Sequence, residues 1–116
     1  MRPRLALVPG EPAGIGPELV VRAAQQDWEA QLVVHGDGAT LRRAAQALGL
    51  DIELHGTGEA PRSPRSIELV EITHPVVAVF GQPEPANAAS MVESLTRAAR
   101  ACLDGELDGL VTGPVH

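Results

Sequence analysis

The strongest constraint on how this chain folds is an alternation between two hydrophobic periods. Short apolar runs at 5–8, 31–35, 51–55, 67–72 and 107–112 have the length of β-strands. Between them lie stretches in which apolar residues recur at helical spacing. Leu41, Ala44, Ala45 and Leu48 repeat at i, i+3, i+4 and i+7, and Leu19, Val20, Ala23 and Ala24 form a second stripe. Ala88, Met91, Val92, Leu95, Ala98, Ala99, Cys102 and Leu103 form a third and longer one. The order is strand, helix, strand, helix, strand, strand, helix, strand. That order predicts an α/β fold, an open and largely parallel sheet with helices on its faces.

Local signals sharpen the boundaries. Pro17 suits the first turn of a helix, where its missing N–H is no loss, and Glu18 follows at the positive end of the helix dipole. Asp37 is placed to cap the second helix and Gly49 to end it in a left-handed conformation. Asn87 is a candidate cap for the third helix, and Ser90 with Glu93 a candidate capping box. Gly105 ends that helix. Residues 67–72 alternate apolar and acidic side chains, the pattern of a half-solvated strand. Residues 56–66 and 73–86 are rich in Gly, Pro and Ser or broken by Pro75, Pro83 and Pro85, and read as loops.

Composition excludes several functions. The 116 residues are one domain's worth, with net charge -6 and no lysine, a poor surface for nucleic acid or an anionic membrane. Aromatics are only 2%, Trp28 and Phe80, so the core rests on Ala, Val, Leu and Ile. The single Cys102 excludes an intrachain disulfide and fits a reducing compartment. With no long apolar run and no leader pattern before Pro9-Gly10, a cytoplasmic protein is expected. The sequence stops just after a strand and a turn, which suggests part of a longer, two-domain protein.

In open α/β sheets, ligands bind outside the carboxyl ends of the strands. Two segments predicted to lie there are unusually specified, Gly10-Glu11-Pro12-Ala13-Gly14-Ile15-Gly16-Pro17-Glu18 and Thr112-Gly113-Pro114-Val115-His116. The first is glycine-rich, but its glycines do not make a dinucleotide fingerprint and no G-K-[ST] is present. Pro12 and Pro17 remove N–H donors, and Glu11 and Glu18 bring negative charge where a phosphate would sit. Asp37 lies about where a dinucleotide fold keeps its ribose-binding acid.

Together the two segments resemble the signatures of the 4-hydroxythreonine-4-phosphate dehydrogenase family of pyridoxal phosphate biosynthesis. Leu110-Val111 leads into the second signature, which the family usually continues with a lysine. The stretch from Gly14 to Glu18 also resembles the opening of isocitrate and isopropylmalate dehydrogenases, which share the broader fold. The resemblance implies an oxidoreductase using NAD and a divalent metal ion (Zn, Mg or Co). Its substrate would be a small phosphorylated hydroxy-amino acid, 4-phosphooxy-L-threonine, oxidised and decarboxylated to 3-amino-2-oxopropyl phosphate. It also implies a homodimer with its active site between two domains.

The family's metal-binding histidines, its substrate-binding His-Thr pair and its phosphate ligands lie beyond the second signature. No catalytic or metal-binding residue is therefore expected in this chain, and it should be inactive alone. The expected contribution is cleft lining, for cofactor or substrate, by Gly10, Glu11, Pro12, Gly14, Ile15, Gly16, Thr112, Gly113, Pro114 and His116. The alternative is a self-standing, non-catalytic α/β module that binds a small anion or a partner chain.

The remaining candidates read more plainly. His35, His55, His74 and His116 lack metal-ligand spacing. His35 and His55 end strands, where a hydrogen bond or solvent is expected to satisfy them, and His74 belongs to a loop. Cys102 is a small core residue. Arg62 and Arg65 are loop cations, and Asp104, Glu106 and Asp108 form an acidic, solvent-facing edge.

Overall fold

The computed structural model describes residues 3–26, 28–56, 65–74, 76 and 85–113. Among the described residues there are five strands: β1 (Arg4–Val8), β2 (Gln31–Gly36), β3 (Glu53–His55), β4 (Ser66–Glu71) and β5 (Gly109–Thr112). Three helices accompany them: α1 (Gly16–Ala24), α2 (Gly38–Leu48) and α3 (Ala88–Leu103), the last preceded by a 3-10 turn, Pro85–Asn87. The strands form one sheet in the order β3-β4-β2-β1-β5, and every pair is parallel. The predicted element order and fold class are thus as expected, with β3 and β5 beginning two residues later than the apolar runs suggest.

The sheet is covered on both faces, as parallel sheets require. Leu7, Val34, Ile67 and Leu69 meet Val20, Ala24 and Leu41 of α1 and α2. On the other face Ala6, Val8, Val33 and Val70 meet Leu95, Ala98, Ala101 and Cys102 of α3, so Cys102 packs with the core as its position implies. Handedness explains the division. The connections through α1 and α2 run toward the β3 edge, whereas α3 carries the chain from β4 back to β5. Right-handed crossovers in opposite directions put their helices on opposite faces.

The caps follow the sequence at α2 and depart from it at α3. Asp37 accepts the Thr40 N–H at 3.0 Å and the Thr40 hydroxyl at 2.7 Å, and Gly49 closes the helix at φ 67°. Asn87 makes no side-chain cap bond, and the capping box does not form. Ser90 Oγ instead donates to the Asn87 carbonyl at 2.8 Å, and Glu93 turns to Thr73, His74 and Arg97.

Three burial expectations are corrected. Glu68 of β4 is 1% exposed, so that strand is not half-solvated. The alternation is real, but Arg4 Nη2 at 2.8 Å and Gln31 Nε2 at 2.9 Å cover the carboxylate. On α3, Val92 and Leu103 face outward, each one residue past a packed position and so turned 100° from the seam that Met91, Ala98 and Cys102 define. Leu19 of α1 is half-exposed.

Candidate functional site

The two specified segments meet. Parallel pairing sets Val8 beside Thr112, so the β1–α1 loop and the residues after β5 leave the sheet at the same end, on adjacent strands. The Gly113 N–H donates to the Val8 carbonyl at 2.7 Å, extending the ladder one step past β5. The glycines permit an unusually close approach around Pro9. A Cβ at Gly16 would lie 1.5 Å from the Pro9 carbonyl oxygen, and one at Gly113 would lie 2.3 Å from the same atom. Only residues without side chains let the start of α1 and the end of β5 press against this peptide from two sides.

Within the loop Gly10 adopts φ 84°. Glu11, next along, is 2% exposed and points inward. Its Oε1 accepts the Ala13 N–H and Asn87 Nδ2, each at 3.2 Å, and its carbonyl accepts the Gly14 N–H at 2.9 Å. Glu11 therefore ties the loop to the entrance of α3 and does not reach toward an open cleft. Asn87, fully buried, serves this bond in place of capping its helix. Seventy-six positions separate the two residues, and no spacing in the sequence announces the pair.

The remaining expected residues fall in different settings. Gly10 and Pro12 line a cavity of about 20 Å³ with His35, Asp37, Thr40 and Ser94. Gly16, Thr112 and Gly113 line a groove of about 160 Å³ between α1 and β5, and Ile15 is exposed beside it. Gly14 is held in the turn by its bond to Glu11. Pro114 and His116 lie outside the described residues, as do Arg62, Pro75 and Phe80.

The β1–α1 loop offers few free N–H groups around Glu11: those of Ala13 and Gly14 bond Glu11, and Pro12 and Pro17 have none. The N-terminus of α2 is occupied too. Asp37 caps it, and Glu71 accepts the Gly38 N–H at 3.1 Å, so Asp37 is not presented to a ribose. A resident metal is likewise unsupported, for no three His, Cys, Asp or Glu side chains converge among the described residues.

Two ionisable side chains among the described residues are shifted, Glu93 strongly and His35 in a definite direction. His35 is 3% exposed and its Nδ1 has no hydrogen-bond partner among the described residues, against the expectation for a strand end. Burial lowers its pKa from 6.5, with help from Arg97 and opposition from the Val33 backbone and Glu68, so the ring is neutral at neutral pH. Glu93 is held far below the usual carboxylate range. Burial opposes its charge, but bonds from the His74 N–H and ring, and then from Thr73, overcome that.

His35 gives a directional pH test. Because its folded pKa lies below 6.5, the unfolded chain takes up its proton first as pH falls. The stabilisation is complete above 6.5 and is lost as pH drops from there toward the lower folded value. Glu93 also loses stability in acid, but only below the ordinary carboxylate value of 4.5. Urea midpoints measured from about pH 7.5 to about pH 5 should therefore decline for the native chain and flatten in His35→Gln. Equal slopes would show that His35 is not the titrating group.

A five-stranded parallel sheet with helices on both faces, and two glycine-bearing tips joined at the carboxyl ends of its strands, defines the class: a layered α/β protein. Comparison gives the family. The model of the pyridoxal phosphate biosynthetic protein PdxA matches residues 27–116, and the chain belongs to that family. The 4-hydroxythreonine-4-phosphate dehydrogenase of Stenotrophomonas maltophilia is 51% identical over the whole chain, which spans 36% of that relative. A crystal structure of the same-named enzyme from Klebsiella pneumoniae superposes with TM-score 0.85 at 26% identity, covering 100% of this chain and 38% of that one. One from Burkholderia phymatum, at 23% identity and TM-score 0.88 over 100% and 37%, shows the same fold. The relatives are thus dehydrogenases, and this chain corresponds to their N-terminal third.

Proposed function

We propose that this chain supplies one wall of the active-site cleft of a 4-hydroxythreonine-4-phosphate dehydrogenase. The observation that carries the reading is the meeting of Gly16 and Gly113 around the Pro9 carbonyl, which makes the two family signatures one surface. In this reading the substrate is 4-phosphooxy-L-threonine and the product 3-amino-2-oxopropyl phosphate, and NAD would supply the hydride acceptor for oxidation of the C3 hydroxyl, whose proton is released, before carbon dioxide is lost. NAD and the divalent metal are assigned to the rest of the full-length, homodimeric, cytoplasmic enzyme, since no three His, Cys, Asp or Glu side chains converge among the described residues and Pro12 and Pro17 remove N–H donors from the loop. Ile15, Thr112 and Gly113 face the cleft in this reading; Pro114 and His116 lie outside the described residues. Gly10, Glu11, Pro12, Gly14 and Gly16 hold its wall in shape. The alternative of an anion-binding module is disfavoured by a loop in which Pro12 and Pro17 lack an N–H and the Ala13 and Gly14 N–H groups bond Glu11.

The test is a chimera in which residues 1–116 replace the matching part of the Stenotrophomonas maltophilia relative. With 4-phosphooxy-L-threonine, NAD and a divalent metal, its kcat/KM should stay within about tenfold of that relative's, about 1.4 kcal/mol in transition-state stabilisation. The 116-residue chain alone should reduce no NAD. A chimera that folds and binds substrate but does not turn over would defeat the reading.

A further inference from the structure

Glu11 belongs to the loop that forms the proposed cleft wall, yet its carboxylate is turned into the protein. The residue is 2% exposed, and its Oε1 accepts from the Ala13 N–H and from Asn87 Nδ2, each at 3.2 Å. The first donor is part of the loop itself. The second comes from the entrance of α3, where Asn87 is fully buried. Two other carboxylates at this end of the sheet are likewise tied to donors, Asp37 to the Thr40 N–H and hydroxyl and Glu71 to the Gly38 N–H. Glu18, partly exposed, stands in the first turn of α1, where the helix dipole offsets its charge. A buried carboxylate that loses a donor bears the full cost of its desolvation unless it turns to water. Without Asn87, Glu11 would keep only the Ala13 N–H of these two donors, and the open side of its loop is the carboxyl end of the sheet.

We propose that Asn87 is a positioning residue whose bond to Glu11 keeps that carboxylate out of the cleft, so that the cleft accepts an anionic substrate. The inference rests on the proposed function, in which the substrate carries a phosphate and a carboxylate. A carboxylate swung toward such a substrate repels it. The repulsion acts on the bound ground state and the transition state alike, so it weakens binding without slowing the bound complex. An amide suits the task, because it donates a hydrogen bond and brings no charge of its own. Asn87 touches neither substrate nor cofactor in this reading and acts through Glu11, from 76 positions away in the chain.

The experiment uses the chimera above. Asn87→Ala should raise KM for 4-phosphooxy-L-threonine about tenfold and change kcat by less than about threefold, the pattern of lost uniform binding. Raising salt from about 0.1 M to about 1 M shortens the screening length from about 10 Å to about 3 Å, and the ratio of variant to native KM should shrink toward one. Adding Glu11→Gln to Asn87→Ala should restore the native KM, since that side chain then carries no charge. Asn87→Asp keeps the native shape and should raise KM in the same way, which preserves the test if the smaller side chain unfolds the protein. An unchanged KM in both variants, a raised KM indifferent to salt, or no recovery with Glu11→Gln would overturn the proposal. Calorimetric binding of the same substrate reads the effect without turnover. A native chimera that binds but does not turn over, and loses affinity on Asn87→Ala, rejects the proposed activity and supports the positioning role. One that turns over while both variants behave as native rejects the positioning role alone, and one that binds no substrate rejects both.

Discussion

Gly16→Ala should be among the most damaging single substitutions in this chain. The added methyl would stand 1.5 Å from the Pro9 carbonyl oxygen, with the Pro9 carbonyl carbon at 2.6 Å. Backbone cannot swing aside as a flexible side chain can, so α1 or the β1 tip must shift. Overpacking of this severity costs about 3 kcal/mol or more. Gly14, two residues earlier, provides the contrast. Its Cβ would meet the Glu11 carbonyl oxygen at 3.3 Å, a contact relieved by a few tenths of an ångström. Gly14→Ala should therefore stay within about 1 kcal/mol of the native chain. Urea midpoints of the two variants decide the matter. If Gly16→Ala unfolds at the native midpoint, the close approach of the two tips does not exist in solution.

Arg4→Met should cost about 2–3 kcal/mol, through the charge it abandons more than the contact it loses. Glu68 lies on an interior strand of the sheet with its side chain wholly buried, while Arg4 is 36% exposed at the start of β1. Breaking a fully buried pair costs somewhat more than this, and the solvent that reaches Arg4 reduces the penalty here. Removing the charge as well should recover most of the loss. In the double variant Arg4→Met/Glu68→Gln, the amide that replaces the carboxylate would still bond Gln31. A double-mutant cycle would read a coupling of about 1–3 kcal/mol. Additive losses would mean that the Arg4–Glu68 contact, 2.8 Å in length, carries no net stabilisation.

Much of the fold was legible because helix and strand periods are local. The 3.6-residue stripe of α2, its Asp37 cap and its Gly49 end could be placed without knowing what the helix packs against. The same reasoning went wrong where the neighbourhood decides. Val92 and Leu103 look like core residues by type, yet one residue of helix is a 100° turn and carries them to the solvent side. Glu68 looks like a surface residue by type, yet Arg4 and Gln31 arrive from the starts of two other strands to cover it. At the site, the two signatures were visible as unusual segments at strand ends. That Glu11 turns inward to Asn87 was not visible, since nothing in either segment marks a partner 76 residues away.

By itself, then, the sequence determined the kinds of element, their order and the end of the sheet at which the distinctive loops emerge. These depend on side-chain period and on turn chemistry, which act over a few residues. Only the tertiary structure decided that β5 lies beside β1, that α3 takes the face opposite α1 and α2, and that Gly16 and Gly113 close on one carbonyl group. Strand pairing and charge burial join segments far apart in the chain. Their free energy depends on what else occupies the same space, and no local pattern encodes that.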